Sequence, residues 1–142
     1  MPGPPKPAFE ILEHTADIGV RSHGATEEEA FENAARGLLE ILGAESSRDG
    51  GSVETVDVRA ADREALLVSL MDELIFRTDS RPTDGIARIE VRFGGPSALR
   101  ATLRWGPRRR SPEAIELKAA TYHQLSVKRA GAGWVTTVFF DV

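Results

Sequence analysis

The segment His14-Thr15-Ala16-Asp17 places three side chains capable of chemistry within four consecutive residues. An imidazole, a hydroxyl and a carboxylate lie together there, between two short apolar groups that indicate strands joined by a turn. The Asp17 carboxylate offers the oxygen ligands that Mg²⁺ and Ca²⁺ prefer, and His14 can bind or position such an ion. An alternative stays open, because Asp17 can form an Asx-turn while His14 remains at the surface. A metal site here requires a second carboxylate.

A second acidic residue, Asp141, lies near the other end of the sequence. It directly follows the apolar run 138–140, which predicts a carboxylate at the end of a buried strand. The side chain of Asp141 and the α-carboxylate of Val142 can then converge on one hard cation. The competing interpretation is a solvated terminus that frays from the sheet.

Three further polar residues are close together before the last strand. Lys118 alternates with apolar neighbours, so it can pair with Asp17 or Asp141, or bind a phosphate. The alternative, which base rates favour, is an exposed strand lysine without a special role. Thr121 and His123 follow, and His123 is a candidate general base if the chain is itself a metal-dependent enzyme.

Two neighbouring apolar runs each alternate with arginines. Arg88, Arg92, Arg100 and Arg104 are expected on one face of a hairpin, and residues 108–110 add three more arginines. Such a face can meet RNA or an acidic protein, with binding that weakens as salt rises. A solvated sheet face is the alternative, because no aromatic side chains for base stacking are interleaved with the arginines.

The helices that must position these residues are indicated by their capping signals. Thr26 and the acidic residues after it form a capping box, and Gly43 supplies a C-terminal stop, which together predict a helix over 27–42. Asp62 caps a second helix, whose apolar periodicity fades near Thr78.

Strands are predicted wherever apolar residues alternate with polar ones. The predicted runs are 53–58, 89–93, 99–105, 115–127 and 134–140. With the two helices they predict a single α+β domain, in which both helices pack on a mainly antiparallel β-sheet.

Length and composition agree with one domain. The chain has 142 residues, 41% hydrophobic and 28% charged, with a net charge of −4. Residues 1–7 contain four prolines and are predicted to be a disordered tail before a domain over 8–142. No cysteine, export signal or long apolar run occurs, so we expect a cytoplasmic protein without a membrane partner.

Several common catalytic motifs do not occur in the sequence. There is no P-loop, no dinucleotide-binding glycine motif, no zinc-protease helix motif and no nucleophile elbow. Without cysteine, the remaining chemistry is acid–base catalysis or the binding of hard metals.

Five segments, in the same order and at the same spacing, resemble the archease family. Archeases are small activators of the RtcB-type RNA ligase involved in tRNA splicing and RNA repair. The similar segments are Phe9 with residues 14–18, Gly24 with 28–38, 70–75, 117–123, and Asp141-Val142.

The resemblance implies an α+β fold and a site for Ca²⁺ or Mg²⁺, in which Asp17 and Asp141 bind the ion with the terminal carboxylate of Val142. It also implies that the protein is not an enzyme but a protein cofactor, which promotes ligase guanylylation and multiple turnover and reaches tRNA or other RNA through the ligase. Lys118 resembles the family's functional lysine. The residues expected to face the partner are Lys118, His14, Thr121 and His123.

Two other functions stay open from the residues alone. One is a stand-alone enzyme that depends on a divalent metal, with His14 or His123 as its base. The other is a chaperone-like RNA-binding module that works through the arginines.

Overall fold

The computed structural model describes residues 6–13 and 17–142, and within them it contains two helices and seven strands. None of the helices in these ranges is long and apolar enough to cross a membrane. In chain order the elements are β1 (Phe9–Glu13), β2 (Asp17–Gly24), α1 (Glu27–Leu42), β3 (Ser52–Arg59), α2 (Arg63–Asp79), β4 (Asp84–Phe93), β5 (Ala98–Pro107), β6 (Ala119–Ala130) and β7 (Gly133–Asp141).

The strands form two antiparallel sheets. The first has the order β1-β2-β7-β6, and the second has the order β3-β5-β4. The predicted α+β class, with two helices on antiparallel strands, is confirmed, and the strands divide between two sheets. The chain passes from the second sheet back to the first between β5 and β6. The pattern predicts a strand from residue 115, but β6 begins only at Ala119, and residues 108–118 cross from one sheet to the other.

Local capping determines where both helices begin. The Thr26 hydroxyl accepts the N–H of Glu29 at 3.1 Å, and the Glu29 carboxylate accepts the N–H of Ala25 at 3.0 Å. Gly43 ends α1 in the left-handed region at φ 61°, so the predicted span 27–42 is confirmed. Asp62 caps α2 by accepting the N–H of Ala65 at 2.9 Å.

The core lies between the helices and the inner faces of both sheets. Helix α1 packs against β2 and β7 of the first sheet and β4 of the second, whereas α2 packs mainly against β6 and β3. Fully buried Phe31, Trp105 and Phe140 are its largest side chains. Burying an aromatic side chain of this kind stabilises the fold by about 1.5–3 kcal/mol. The three residues come from α1, the second sheet and the first sheet, so all three layers contribute to one core.

Two carboxylates of α1 cover the edge strand β4. The Val91 N–H donates to Glu32 Oε2 at 2.8 Å, and the Phe93 N–H donates to Glu28 Oε2 at 3.3 Å. Exposed edge amides are templates for pairing with another chain, so these bonds also protect the sheet against aggregation.

We expect Glu32→Ala to lower the free energy of unfolding by about 1–3 kcal/mol, because it leaves the Val91 N–H without its acceptor. Burial raises the pKa of the Glu32 carboxyl, against the opposing effect of the Val91 bond. Glu32→Gln keeps an oxygen acceptor and removes the buried charge, so it should unfold like the wild type at neutral pH. Chemical denaturation compares the two, and an alanine variant as stable as the glutamine variant would contradict the assignment.

Candidate functional site

Asp17 and Asp141 lie directly opposite each other across β2 and β7. Opposite residues of an antiparallel pair project from the same face, with Cβ atoms about 4.5–5.5 Å apart. Two like charges at this spacing destabilise the strand pair unless a cation compensates them. Strand pairing thus joins two carboxylates from opposite ends of the sequence at one corner of the first sheet.

Lys118 and Val142 lie next to this carboxylate pair. The Lys118 N–H donates to the Asp141 carbonyl at 2.9 Å, and the following residue, Ala119, is paired with Asp141. In the described ranges the exposed Lys118 ammonium forms no salt bridge, so only its backbone joins Asp141. Lys118 and Val142 also line one cavity of about 810 Å³ beside α2.

Strand β6 contains a large bulge directly after these residues. Thr121 pairs with Phe139, but regular pairing resumes only at Ser126, so residues 122–125 oppose a single residue of β7. Gln124 adopts a φ of 52°, in the left-handed region that residues other than glycine rarely occupy. Bulges of this kind redirect side chains and are common beside functional sites.

The bulge places His123 on the same face as the two carboxylates. Thr121 alternates with Ala119 and therefore shares the face of Asp141. The His123 N–H donates to the Thr121 hydroxyl at 3.3 Å, and the His123 imidazole contacts the Phe139 ring edge-on, with centroids 5.9 Å apart. Phe139 is only 1% exposed, so its ring forms the floor of this face.

The donor set of this corner consists of oxygen atoms. Among residues 6–13 and 17–142, no three side chains of His, Cys, Asp or Glu cluster closely enough to hold a metal ion. Asp17 and Asp141 supply two carboxylates, and Val142 adjoins Asp141 in sequence. Carboxylate oxygens suit Ca²⁺ and Mg²⁺ rather than softer metals. The candidate ligand His14 lies outside the described residues.

Asp72 also belongs to this site, although from the sequence it stood out only as one residue of the similar segment 70–75. Its Oδ1 accepts the N–H of Ala120 at 2.8 Å, which fixes the start of β6 to α2. Asp72 lines the same cavity as Lys118 and Val142. Burial raises the pKa of the Asp72 carboxyl, and the Ala120 hydrogen bond partly opposes this effect.

We expect Asp72→Asn to be at least as stable as the wild type at neutral pH, since the amide oxygen keeps the bond and the buried charge is gone. A raised pKa in the folded state means that the protonated carboxyl favours folding. That contribution is complete below the unfolded-state pKa and is lost as pH rises through the folded-state pKa. The difference in free energy of unfolding that favours Asp72→Asn over the wild type should therefore shrink as the pH falls.

Unfolding measured across the acid range tests this dependence. Asp72→Ala is the control, because it removes the acceptor and should be less stable than Asp72→Asn by about 1–3 kcal/mol at every pH. An advantage of Asn over Asp that grows as the pH falls would contradict the burial effect.

The arginines predicted to share a face do so on the second sheet. Arg88 is opposite Arg104, and Arg92 is opposite Arg100. Arg100 forms a bidentate pair with Asp57 at 2.8 and 3.2 Å, which lowers the pKa of that carboxyl. Arg92 and Arg104 form longer ion pairs with neighbouring carboxylates. Most of this face is therefore internally compensated.

The prediction that Arg108 extends the arginine face is wrong. Its guanidinium donates to the backbone carbonyls of Thr78, Arg81 and Asp84 at 2.5, 3.1 and 2.7 Å. Burial lowers the pKa of Arg108. The side chain fastens the end of α2 to the segment after β5.

Comparisons with known proteins agree with one another. Residues 9–142 match the model of the Archease protein family. The protein archease of Thermococcus kodakarensis is 36% identical, over 94% of this chain and 98% of the relative. That of Methanosarcina barkeri is 30% identical, over 94% of this chain and 95% of the relative.

Two solved structures are similar along nearly their full lengths. The solution structure of Methanobacterium thermoautotrophicum protein 1598 has a TM-score of 0.70 and 25% identity, covering 95% of this chain and 99% of that one. The crystal structure of a Thermotoga maritima archease, described as a possible chaperone, has a TM-score of 0.64 and 28% identity, covering 100% of both chains. The match of the family model to residues 9–142 and the relatives at 30% identity or more show that this chain belongs to the archease family.

Proposed function

We propose that this archease activates an RtcB-type RNA ligase, promoting its guanylylation and multiple turnover in tRNA splicing or RNA repair. It acts as a protein cofactor rather than a catalyst, and it reaches RNA through the ligase. The observation that supports this most strongly is the register of Asp17 opposite Asp141, with Lys118 bonded to the Asp141 carbonyl, in a chain of this family.

In this proposal Asp17, Asp141 and the carboxylate of Val142 hold Ca²⁺ or Mg²⁺. When bound, the ion supplies concentrated positive charge at an exposed corner of the protein. The β2–β7 ladder holds the two Asp side chains on one face before the ion arrives, so little order has to be imposed on binding. The ion in turn removes the repulsion between the opposed carboxylates.

Activation requires that this corner binds one state of the ligase more tightly than the others. Lys118 and Asp141 are both exposed and are therefore accessible to a partner. The bond between the Lys118 N–H and the Asp141 carbonyl holds the two backbones together, so both side chains extend from the same corner. Two opposite charges presented side by side are suited to distinguish between two arrangements of a partner's active-site region.

The test is multiple-turnover joining of RNA ends by the RtcB-type ligase of the same organism. The ligase is supplied with GTP and a divalent metal, and this protein is added in substoichiometric amounts. We expect several products per ligase molecule in its presence, and faster formation of guanylylated ligase. Absence of stimulation of a demonstrably active ligase would contradict the proposal.

The same assay separates the two alternative functions. A stand-alone enzyme would turn over phosphoester or nucleotide substrates without ligase. An RNA-binding module would bind RNA directly and in a salt-dependent manner through the arginine face, so that Arg88→Gln would reduce stimulation. On our proposal Arg88→Gln stimulates like the wild type.

A further inference from the structure

A cavity of about 810 Å³ lies along α2, next to the candidate metal site. We call it the α2 cavity; it lies between the C-terminal half of α2 and residues 114–119. Lys118 and Val142 are part of its lining, so it adjoins the corner that carries Asp141. A partner that contacts this corner is therefore within reach of the α2 cavity.

The α2 cavity collects exposed apolar side chains. Phe76 is 68% exposed, Val142 56% and Ile115 37%, and these are three of the six large apolar side chains that are exposed in the described part of the chain. Scattered exposed apolar residues are ordinary, but several around one concave surface are typical of a binding site. Phe76 also lies off the inner face of α2. Residues two apart project from roughly opposite sides of a helix, and Leu74, two residues earlier, is fully buried.

Negative charge surrounds these apolar residues. Asp79 and Glu116 line the α2 cavity, are exposed, and form no salt bridge within residues 6–13 and 17–142. Asp72 adds a half-buried carboxyl. The guanidinium of Arg108 is half-buried and donates to backbone carbonyls. Burial lowers its pKa, and the Asp79 carboxylate is near enough to oppose that effect. Lys118 is the exposed cation of the described lining, and the three carboxylates outnumber it.

We propose that the α2 cavity binds a protein segment in which a large apolar side chain is flanked by Lys or Arg. The apolar side chain packs beside Phe76 and Ile115, and the flanking cations meet Asp79 and Glu116. That the segment belongs to the RNA ligase rests on the proposed function, whereas its apolar and basic character is inferred from the cavity itself.

The same charges disfavour the other occupants. A nucleic acid would bring its phosphates against Asp79 and Glu116, which repel them. A second copy bound by two-fold symmetry would place two acidic rims face to face. A basic apolar segment is the occupant that satisfies both the shape and the charge of the surface.

The experiment measures the affinity of the full chain for the ligase, together with stimulation of RNA joining. We expect Phe76→Ser and Asp79→Lys each to raise Kd about tenfold, as loss of a central interface contact does. The matched controls are Val53→Ser, which removes an exposed apolar side chain on the second sheet, and Glu113→Lys, which reverses an exposed charge outside the cavity. Both controls should bind within about twofold of the wild type.

Salt gives a second, independent measurement. Raising ionic strength should weaken binding of the wild type, and it should weaken binding of Asp79→Lys less, because one attractive charge is gone. Phe76 and Asp79 are both exposed, so thermal unfolding should show that their variants fold like the wild type.

Three results would overturn the inference. Folded Phe76→Ser and Asp79→Lys variants that bind and stimulate like the wild type would show that the ligase does not use the α2 cavity, and the proposed function would survive. Self-association that Phe76→Ser abolishes would assign the cavity to a second copy. A wild-type protein that neither binds nor stimulates the ligase would end the proposed function, and with it the assignment of this partner.

Discussion

Asp17→Asn and Asp141→Asn are each expected to abolish stimulation of the ligase while the protein remains folded. Each variant removes one negative charge from the pair that β2 and β7 hold face to face. The affinity of an oxygen site for Ca²⁺ depends on the number of charged ligands, so we expect each variant to bind Ca²⁺ about a hundredfold more weakly than the wild type, or weaker still. Without metal, each variant should be as stable as the wild type or slightly more so, because a like-charge repulsion is gone.

Thermal unfolding with and without Ca²⁺ or Mg²⁺ measures metal binding separately from stimulation. The ion should raise the Tm of the wild type, because it binds only the folded pair, and it should not raise that of either variant. Asp57→Asn is the matched control, since it removes an exposed carboxylate of the second sheet that pairs with Arg100. Undiminished stimulation by a folded Asp141→Asn variant would show that the carboxylate pair is not the functional site.

The helices were predictable from sequence because their signals are local. The hydroxyl of Thr26, the left-handed residue Gly43 and the carboxylate of Asp62 act within a few residues of the helix ends that they define. Periodicity then identified the buried stripe of each helix. Phe76 is the informative exception, because an apolar residue off that stripe is the sequence signal of the α2 cavity.

The site itself depends on long-range pairing that no local pattern specifies. Asp17 and Asp141 could be named from the sequence, but their separation follows from the register of β2 against β7. The bulge after Thr121 was not predictable, because Gln124 occupies the left-handed region where a glycine would have been the usual signal. Asp72 was similarly hidden, since its partner Ala120 belongs to a distant strand.

Gly19 connects the packing of the first sheet to the carboxylate pair. It lies on β2 two residues after Asp17, and it is paired with Phe139, which precedes Asp141 by two residues on β7. A Cβ at position 19 would lie 2.7 Å from Cδ1 and 2.8 Å from Cε1 of the Phe139 ring. That ring is 1% exposed and contacts His123, so it has little room to move.

We therefore expect Gly19→Val to lower the free energy of unfolding by about 1–3 kcal/mol, the usual cost of overpacking. Gly94→Ala is the control, because the nearest atom to its added Cβ is the Cβ of Ala98 at 3.8 Å, and its stability should be close to that of the wild type. Combining Gly19→Val with Phe139→Leu should cost less than the sum of the single changes, since the smaller side chain makes room for the valine. Additive losses would show that the ring and position 19 are independent. If the ring and position 19 are coupled, displacing the ring moves β2 and β7 at a point only two residues away from Asp17 and Asp141. Gly19→Val should then also reduce the increase in Tm that the metal produces.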